Sequence, residues 1–340
     1  MEEAIKLFGK FDSIDKIIND FKSKGPDYQE LVKILEPKDF STMLYLLYLP
    51  KKNFNKFSKE LNIKIDPLLI DFFKSLKIKI KYTVEPIKPI GLKGLSKYLG
   101  FDEKLLKEIY KYSLTEIKKT KLLKERKGPA FKTFNNLKKY IEEKFEIYQD
   151  ILGVYQKVKI RKFKKEIFPS TFRVNKENDV IISKYLDLNT FYPQDAPSVL
   201  IHELTHLQQF KGDNLFLPPT VIYEGFAHYF EEFAHDIIPD MEPSYSREKM
   251  LRLVRYKALY EFHTGKIDKL DIYRQFMAFT TPDEAKIEFE GCLISPYKMN
   301  YLIGKYLFKK YTKGDKKLVM KLFNEGVWTQ WNFLRKNCTF

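Results

Sequence analysis

The sequence predicts a mainly α-helical protein with a small β element, on three observations. Apolar residues recur at three- and four-residue spacing through most of the chain, as at Leu137, Ile141 and Phe145. Alternation of apolar with polar residues is confined to short runs around 76–84 and 158–183. Breakers divide the helical runs into modest lengths, notably Gly25-Pro26, Pro37, Pro50, Pro67 and Gly128-Pro129.

Residues 1–74 accordingly read as short helices. In 76–84, Leu76, Ile78, Ile80, Tyr82 and Val84 alternate with Lys77, Lys79, Lys81 and Thr83, the pattern of a half-buried strand. A turn-rich patch, EPIKPIGLKG, ends it. Helical stretches follow over roughly 102–127 and 131–157, expected to pack as an antiparallel pair. Val158 to Phe163 reads as a strand, and Phe172–Val174 and Val180–Ser183 flank the turn-like NKEND as a hairpin. From about 195 the chain is helical again. These changes suggest a basic, mostly helical region over 1–160 and a second region over 161–340, with no flexible linker between them.

The 340 residues carry a net charge of +16 and 44% apolar residues, enough for a substantial core. Residues 1–170 hold 38 Lys/Arg against 23 Asp/Glu, whereas residues 171–340 are nearly balanced at 23 against 22. A basic half admits a nucleic-acid partner. The lysines are interleaved with acids along helices, however, which describes a solvated surface, and no nucleic-acid motif accompanies them. No apolar run approaches the roughly 20 residues that span a bilayer. The opening MEEAIKLFGKFDSIDK lacks a secretory h-region, and only Cys292 and Cys338 are present, so a cytoplasmic location is expected.

All five histidines lie between 202 and 263. Residues 202–206 read HELTH. On a helix, His202 and His206 share one face and can point nitrogens at one metal ion. Glu203, about 100° round the helix from His202, is placed to act as general base on a water there. Asp195 is positioned to cap this helix and Pro197 to open it. A catalytic zinc site usually takes a third protein ligand. Glu224, in the helical YEGFAHYFEEF, is the foremost candidate, with Gly225 and Ala227 allowing close packing. His228, one turn on, is either an alternative ligand or a supporting residue. Glu231 and Glu232 can each accept a ligand histidine's outer N–H. His235 reads as a surface or packing residue.

HELTH followed by EGFAHY resembles the gluzincin metallopeptidases, in which HExxH and a downstream glutamate bind zinc. The stretches EGFAHY (224–229), VRYKALYEFHTGK (254–266) and SPYKMNYLIGK (295–305) are further similar to the helical family called domain of unknown function 885. That resemblance covers about 195–310. This chain lacks that family's PGH insertion before the second histidine, and His263 precedes its threonine rather than following it. The resemblance implies gluzincin-like catalytic helices with the helical first half closing a cleft, and one zinc ion on His202, His206 and Glu224. It also implies Tyr301 as oxyanion donor, with Tyr297 as second choice. His263 and Arg255 become partners for the oxyanion or a substrate carboxylate, although Arg255 equally suits a structural ion pair.

A zinc metallopeptidase acting through metal-activated water, with Glu203 as base, is the function expected. The alternatives are a zinc hydrolase of another amide or ester, and a basic nucleic-acid-binding protein with a structural or vestigial metal site.

Overall fold

The computed structural model describes residues 88–122, 129–162, 172–174, 179–182, 188, 191–209, 220–294 and 296–338. The helices expected over 1–74 and the strand expected over 76–84 lie outside the described residues. The first described elements are α1 (Gly91–Leu99), α2 (Glu103–Lys119) and α3 (Phe134–Leu152), then β1 (Lys159–Lys162), β2 (Phe172–Val174) and β3 (Asp179–Ile182). Eight helices complete the described chain. They are α4 (Pro197–Gln209), α5 (Thr220–His235), α6 (Glu242–His263), α7 (Lys269–Met277), α8 (Pro282–Ile294), α9 (Asn300–Thr312), α10 (Lys316–Glu325) and α11 (Val327–Asn337). The protein is thus mainly helical, and no described helix is long and apolar enough to cross a membrane.

Side-chain caps begin α2 and α3. Asp102 accepts from the Leu105 N–H at 2.7 Å, and Thr133 from the Asn136 N–H at 3.2 Å. The expected antiparallel pairing of these two helices is not what forms. Instead α2 packs on α6 and α3 packs on α4. The α2 stripe of Leu106 and Ile109 is covered by α6, whose Tyr256 hydroxyl donates to the Leu106 carbonyl at 2.9 Å. Tyr110 stacks on Tyr260 at 4.3 Å and donates to Glu261. Helical periodicity shows that a face is buried, not which element buries it.

The hairpin forms, with β2 antiparallel to β3, and β1 joins the far side of β3 in parallel. Among the described residues that order leaves β2 on an edge, and β2 lies against α4.

Helix α4 is central, in contact with α3, α5, α6, α10 and β2. Leu200, Ile201, Leu204 and Leu207 make it apolar on more than one face, as an enclosed helix must be. At its start, Asp195 accepts from the Tyr192 N–H at 3.1 Å, closing the 3-10 turn Pro193–Asp195. One of the first N–H groups of α4 is met by another helix, since the Ser198 N–H donates to Ser244 Oγ of α6 at 2.9 Å. A tertiary contact of this kind leaves no local sequence signature.

The tightest helix pair is α5 with α9. A Cβ on Gly225 would lie 2.5 Å from Gly304 Cα, and one on Gly304 would lie 1.9 Å from the Val221 carbonyl oxygen. Gly225 was expected to admit a close neighbour, and that neighbour is α9. Aromatic packing continues the contact, with Phe226 edge-on to Phe308 at 5.0 Å, and carries it on to α10, where Phe230 stacks on Phe323 at 4.0 Å.

Candidate metal centre

One turn of α4 separates His202 from His206, and α5 lies alongside with Glu224 facing them. The two Nε2 atoms are 2.9 Å apart, and Glu224 Oε2 is 3.1 Å from His202 Nε2 and 3.7 Å from His206 Nε2. Three donor atoms from two helices thus converge on one point. The His202 and Glu224 side chains keep 12% and 15% of their surface exposed, so the point is enclosed yet reachable.

The outer face of each imidazole is held. His202 Nδ1 lies 2.8 Å from Glu231 Oε1, and His228 Nδ1 lies 2.7 Å from the same oxygen. Glu231 is fully buried. It also accepts from Arg252 at 2.9 and 2.7 Å and from Ser198 Oγ at 2.6 Å. His206 Nδ1 meets Gln209 Oε1 at 2.7 Å. Both ligand-side rings therefore face acceptors on Nδ1, which keeps the proton there and turns the Nε2 lone pair inward.

The electrostatics follow from this arrangement. Burial works against a charge on His202, but its hydrogen bonds to the Glu224 and Glu231 carboxylates raise it to about 10. Burial also opposes ionisation of Glu224, and His202 and His206 overcome it, holding the carboxyl well below its ordinary range. For Glu231, burial is overcome by Arg252 and the two histidines it supports. His228 is held neutral by burial, reinforced by Arg252 and His202. The cluster therefore favours a positive charge at its centre, and either a proton or a metal ion can supply it.

The donor set fits zinc. Bonds of 2.0–2.1 Å at tetrahedral angles put neighbouring donor atoms about 3.3 Å apart. The observed 2.9, 3.1 and 3.7 Å scatter around that value. Two imidazoles, each with hydrogen-bonded support on Nδ1, and one carboxylate match the chemistry of an open zinc site. His228 Nε2 lies 3.9 Å from Glu224 Oε2, is buried, and has no hydrogen-bond partner among the described residues.

Other expected residues divide into near and far. Glu203 is buried on α4 beside His202. The Tyr301 ring lies 5.4 Å from the His228 ring, and the Arg255 guanidinium lies 5.8 Å from the Tyr301 ring centre. Arg255 is itself engaged by Glu288 through three hydrogen bonds of 2.7–2.9 Å, so the ion-pair reading of that residue is what forms. His263 sits 11 residues beyond Arg252 on α6, about 16 Å along the axis, against Phe262. Glu232 supports neither histidine; it binds Lys305 at 2.7 Å and Lys309 at 2.5 Å. His235 stacks on Tyr245 at 4.6 Å. The Tyr297 side chain lies outside the described residues.

No protein-family model matches the sequence, and no curated protein matches it. Two solved structures share the fold. One is a "putative lipoprotein" from Colwellia psychrerythraea, with 14% identity and a TM-score of 0.57, covering 79% of this chain. This chain spans 59% of the length of that protein. The other is a "putative lipoprotein of unknown function" from Shewanella oneidensis, with 13% identity and a TM-score of 0.54, covering 98% of this chain and 72% of that one. At these identities the likeness is one of fold.

Ser198, Gln209, Arg252 and Gln330 hold the site and were not singled out from the sequence. Only Gln209 had a local signal. It sits three residues after His206, on the same side of the helix.

Proposed function

We propose that the protein is a gluzincin-like zinc peptidase, with His202, His206 and Glu224 as ligands and Glu203 as general base. The observation that carries this reading is the convergence of two inward-facing Nε2 atoms and one carboxylate oxygen within 2.9–3.7 Å, supported from outside by Glu231 and Gln209. Zinc held there supplies Lewis-acid polarisation of a water and of the scissile carbonyl.

The chain's own groups do the rest. Glu203 takes a proton from the attacking water and passes it to the leaving amine. Tyr301, beside His228, donates to the carbonyl oxygen as negative charge develops. The edge that β2 forms among the described strands, next to α4, would give an extended peptide a strand to lie against. Glu203 carries out the proton transfers without holding the metal. The ligand set alone binds metal without turnover, so the intervening glutamate is what favours a hydrolase over a structural site.

The test uses a peptide library read by mass spectrometry, with zinc content measured on the same samples. Wild type is expected to cleave, Glu203→Gln to retain zinc but lose at least 100-fold in rate, and His206→Ala and Glu224→Ala to lose zinc. Equal cleavage by wild type and Glu203→Gln would overturn the mechanism. Cleavage of esters or small amides only, with peptides untouched, would move the reading to another hydrolase.

A further inference from the structure

We infer that Gln209 fixes His206 as a ligand by setting which ring nitrogen carries its proton, and that Gln330 of α11 sets the orientation of Gln209. The inference rests on the metal-centre reading above. His206 offers Nε2 inward only while its proton stays on Nδ1, and Nδ1 faces Gln209 Oε1 at 2.7 Å. A glutamine amide carries an acceptor on one side and donors on the other, so its support depends on which way it is turned.

The surroundings allow one orientation. Gln209 Nε2 donates to the Tyr223 carbonyl at 2.9 Å and to Gln330 Oε1 at 2.7 Å. Turned over, Gln209 would set its oxygen against two acceptors and its NH2 against the His206 N–H. Gln330 is oriented in the same way, since its Nε2 donates to the Leu322 carbonyl at 2.9 Å. Both glutamines are fully buried, so water offers no competing partner. Two backbone carbonyls, which cannot flip, therefore determine the His206 tautomer through two side-chain amides.

The choice of an amide also sets the charge. The carboxylate behind His202 is neutralised by Arg252, and the support behind His206 brings no charge. Among the ligands and their direct supports, Glu224 is left as the uncompensated negative group.

The test reads the ring tautomer in zinc-free protein carrying 15N-histidine, by long-range 1H–15N correlation, and the zinc dissociation constant by competition. In wild type His206 is expected wholly as the Nδ1–H form. In Gln209→Met it is expected as a mixture of tautomers, with zinc bound about 10- to 100-fold more weakly. Gln330→Met is expected to fall between the two, because Tyr223 still anchors Gln209, and it serves alone if Gln209→Met does not fold. A His206 that stays wholly Nδ1–H in every variant that folds overturns the inference. So does unchanged zinc affinity in a variant whose tautomers are mixed. A wild type that binds no zinc sinks the metal reading instead, while the tautomer comparison still decides the role of Gln209.

Discussion

Replacing Gly304 with alanine probes the link between helix packing and the reacting groups. The new Cβ would stand 1.9 Å from the Val221 carbonyl oxygen, whereas real Cβ contacts stay beyond about 3.0 Å, so α5 and α9 must part by at least 1.1 Å there. Helix α5 is tied to α4 and α6 through Glu231, Ser198 and Arg252, so α9 gives way. The proposed zinc ligands lie on α4 and α5, while Tyr301 lies on α9, one turn before Gly304. Overpacking of this kind costs about 1–3 kcal/mol of stability. A 1 Å misplacement of a reacting group costs on the order of 100-fold in rate. Gly304→Ala should therefore lower the melting temperature by several degrees, keep zinc affinity within a few-fold, and reduce kcat about 100-fold, close to Tyr301→Phe. Calorimetry, zinc competition and peptide turnover on one preparation give all three values. Unchanged turnover alongside a lowered melting temperature would remove Tyr301 from the mechanism, and an unchanged melting temperature would refute the close contact itself.

Other outcomes follow from the same geometry. Arg252→Met leaves the buried Glu231 carboxylate without its cation, at a cost of about 3–5 kcal/mol. Urea unfolding should show part of that recovered in Arg252→Met with Glu231→Gln, and additive losses would argue against the pair. His263 is buried, and burial lowers it to about 4 from 6.5. The unfolded chain therefore binds the extra proton first, and stability falls as pH drops from 6.5 towards 4, by about 3 kcal/mol in all. His263→Phe should flatten that limb of the stability–pH curve, and an unaltered limb would assign it to other groups. Zinc at 100 times its dissociation constant should add about 2.7 kcal/mol of stability. That gain should disappear with a chelator and in Glu224→Ala, and a gain that persists in Glu224→Ala would place the ion elsewhere.

What was legible in the sequence was what is local. His202 and His206 meet because four residues make about one helical turn, and the β2–β3 hairpin because five residues of turn chemistry separate two alternating runs. Glu224 stood out because an acid on the apolar-patterned α5 needs a reason to be there. The partners of the ligands were far less visible. Arg252 approaches Glu231 from 21 residues away, and Gln330 reaches Gln209 across 121, with no spacing rule connecting either pair. Which stretch of α6 passes the candidate metal centre is likewise decided by tertiary packing, which brings Arg252 to Glu231. The pairing of α2 with α3 was misread because both carry good amphipathic stripes, and the stripes are covered by α6 and α4 instead.

The amide support behind His206 has a consequence for biosynthesis. At 5–20 residues per second, the ribosome adds the 121 residues between Gln209 and Gln330 in about 6–24 s. During that interval the HELTH segment is made but the anchor of its second histidine is not. A nascent chain would hold zinc loosely through His202 and Glu224 and only later acquire a fixed His206. If the centre loads zinc as proposed, a truncated or stalled chain that lacks α11 carries the ligand residues without the amide anchor of His206.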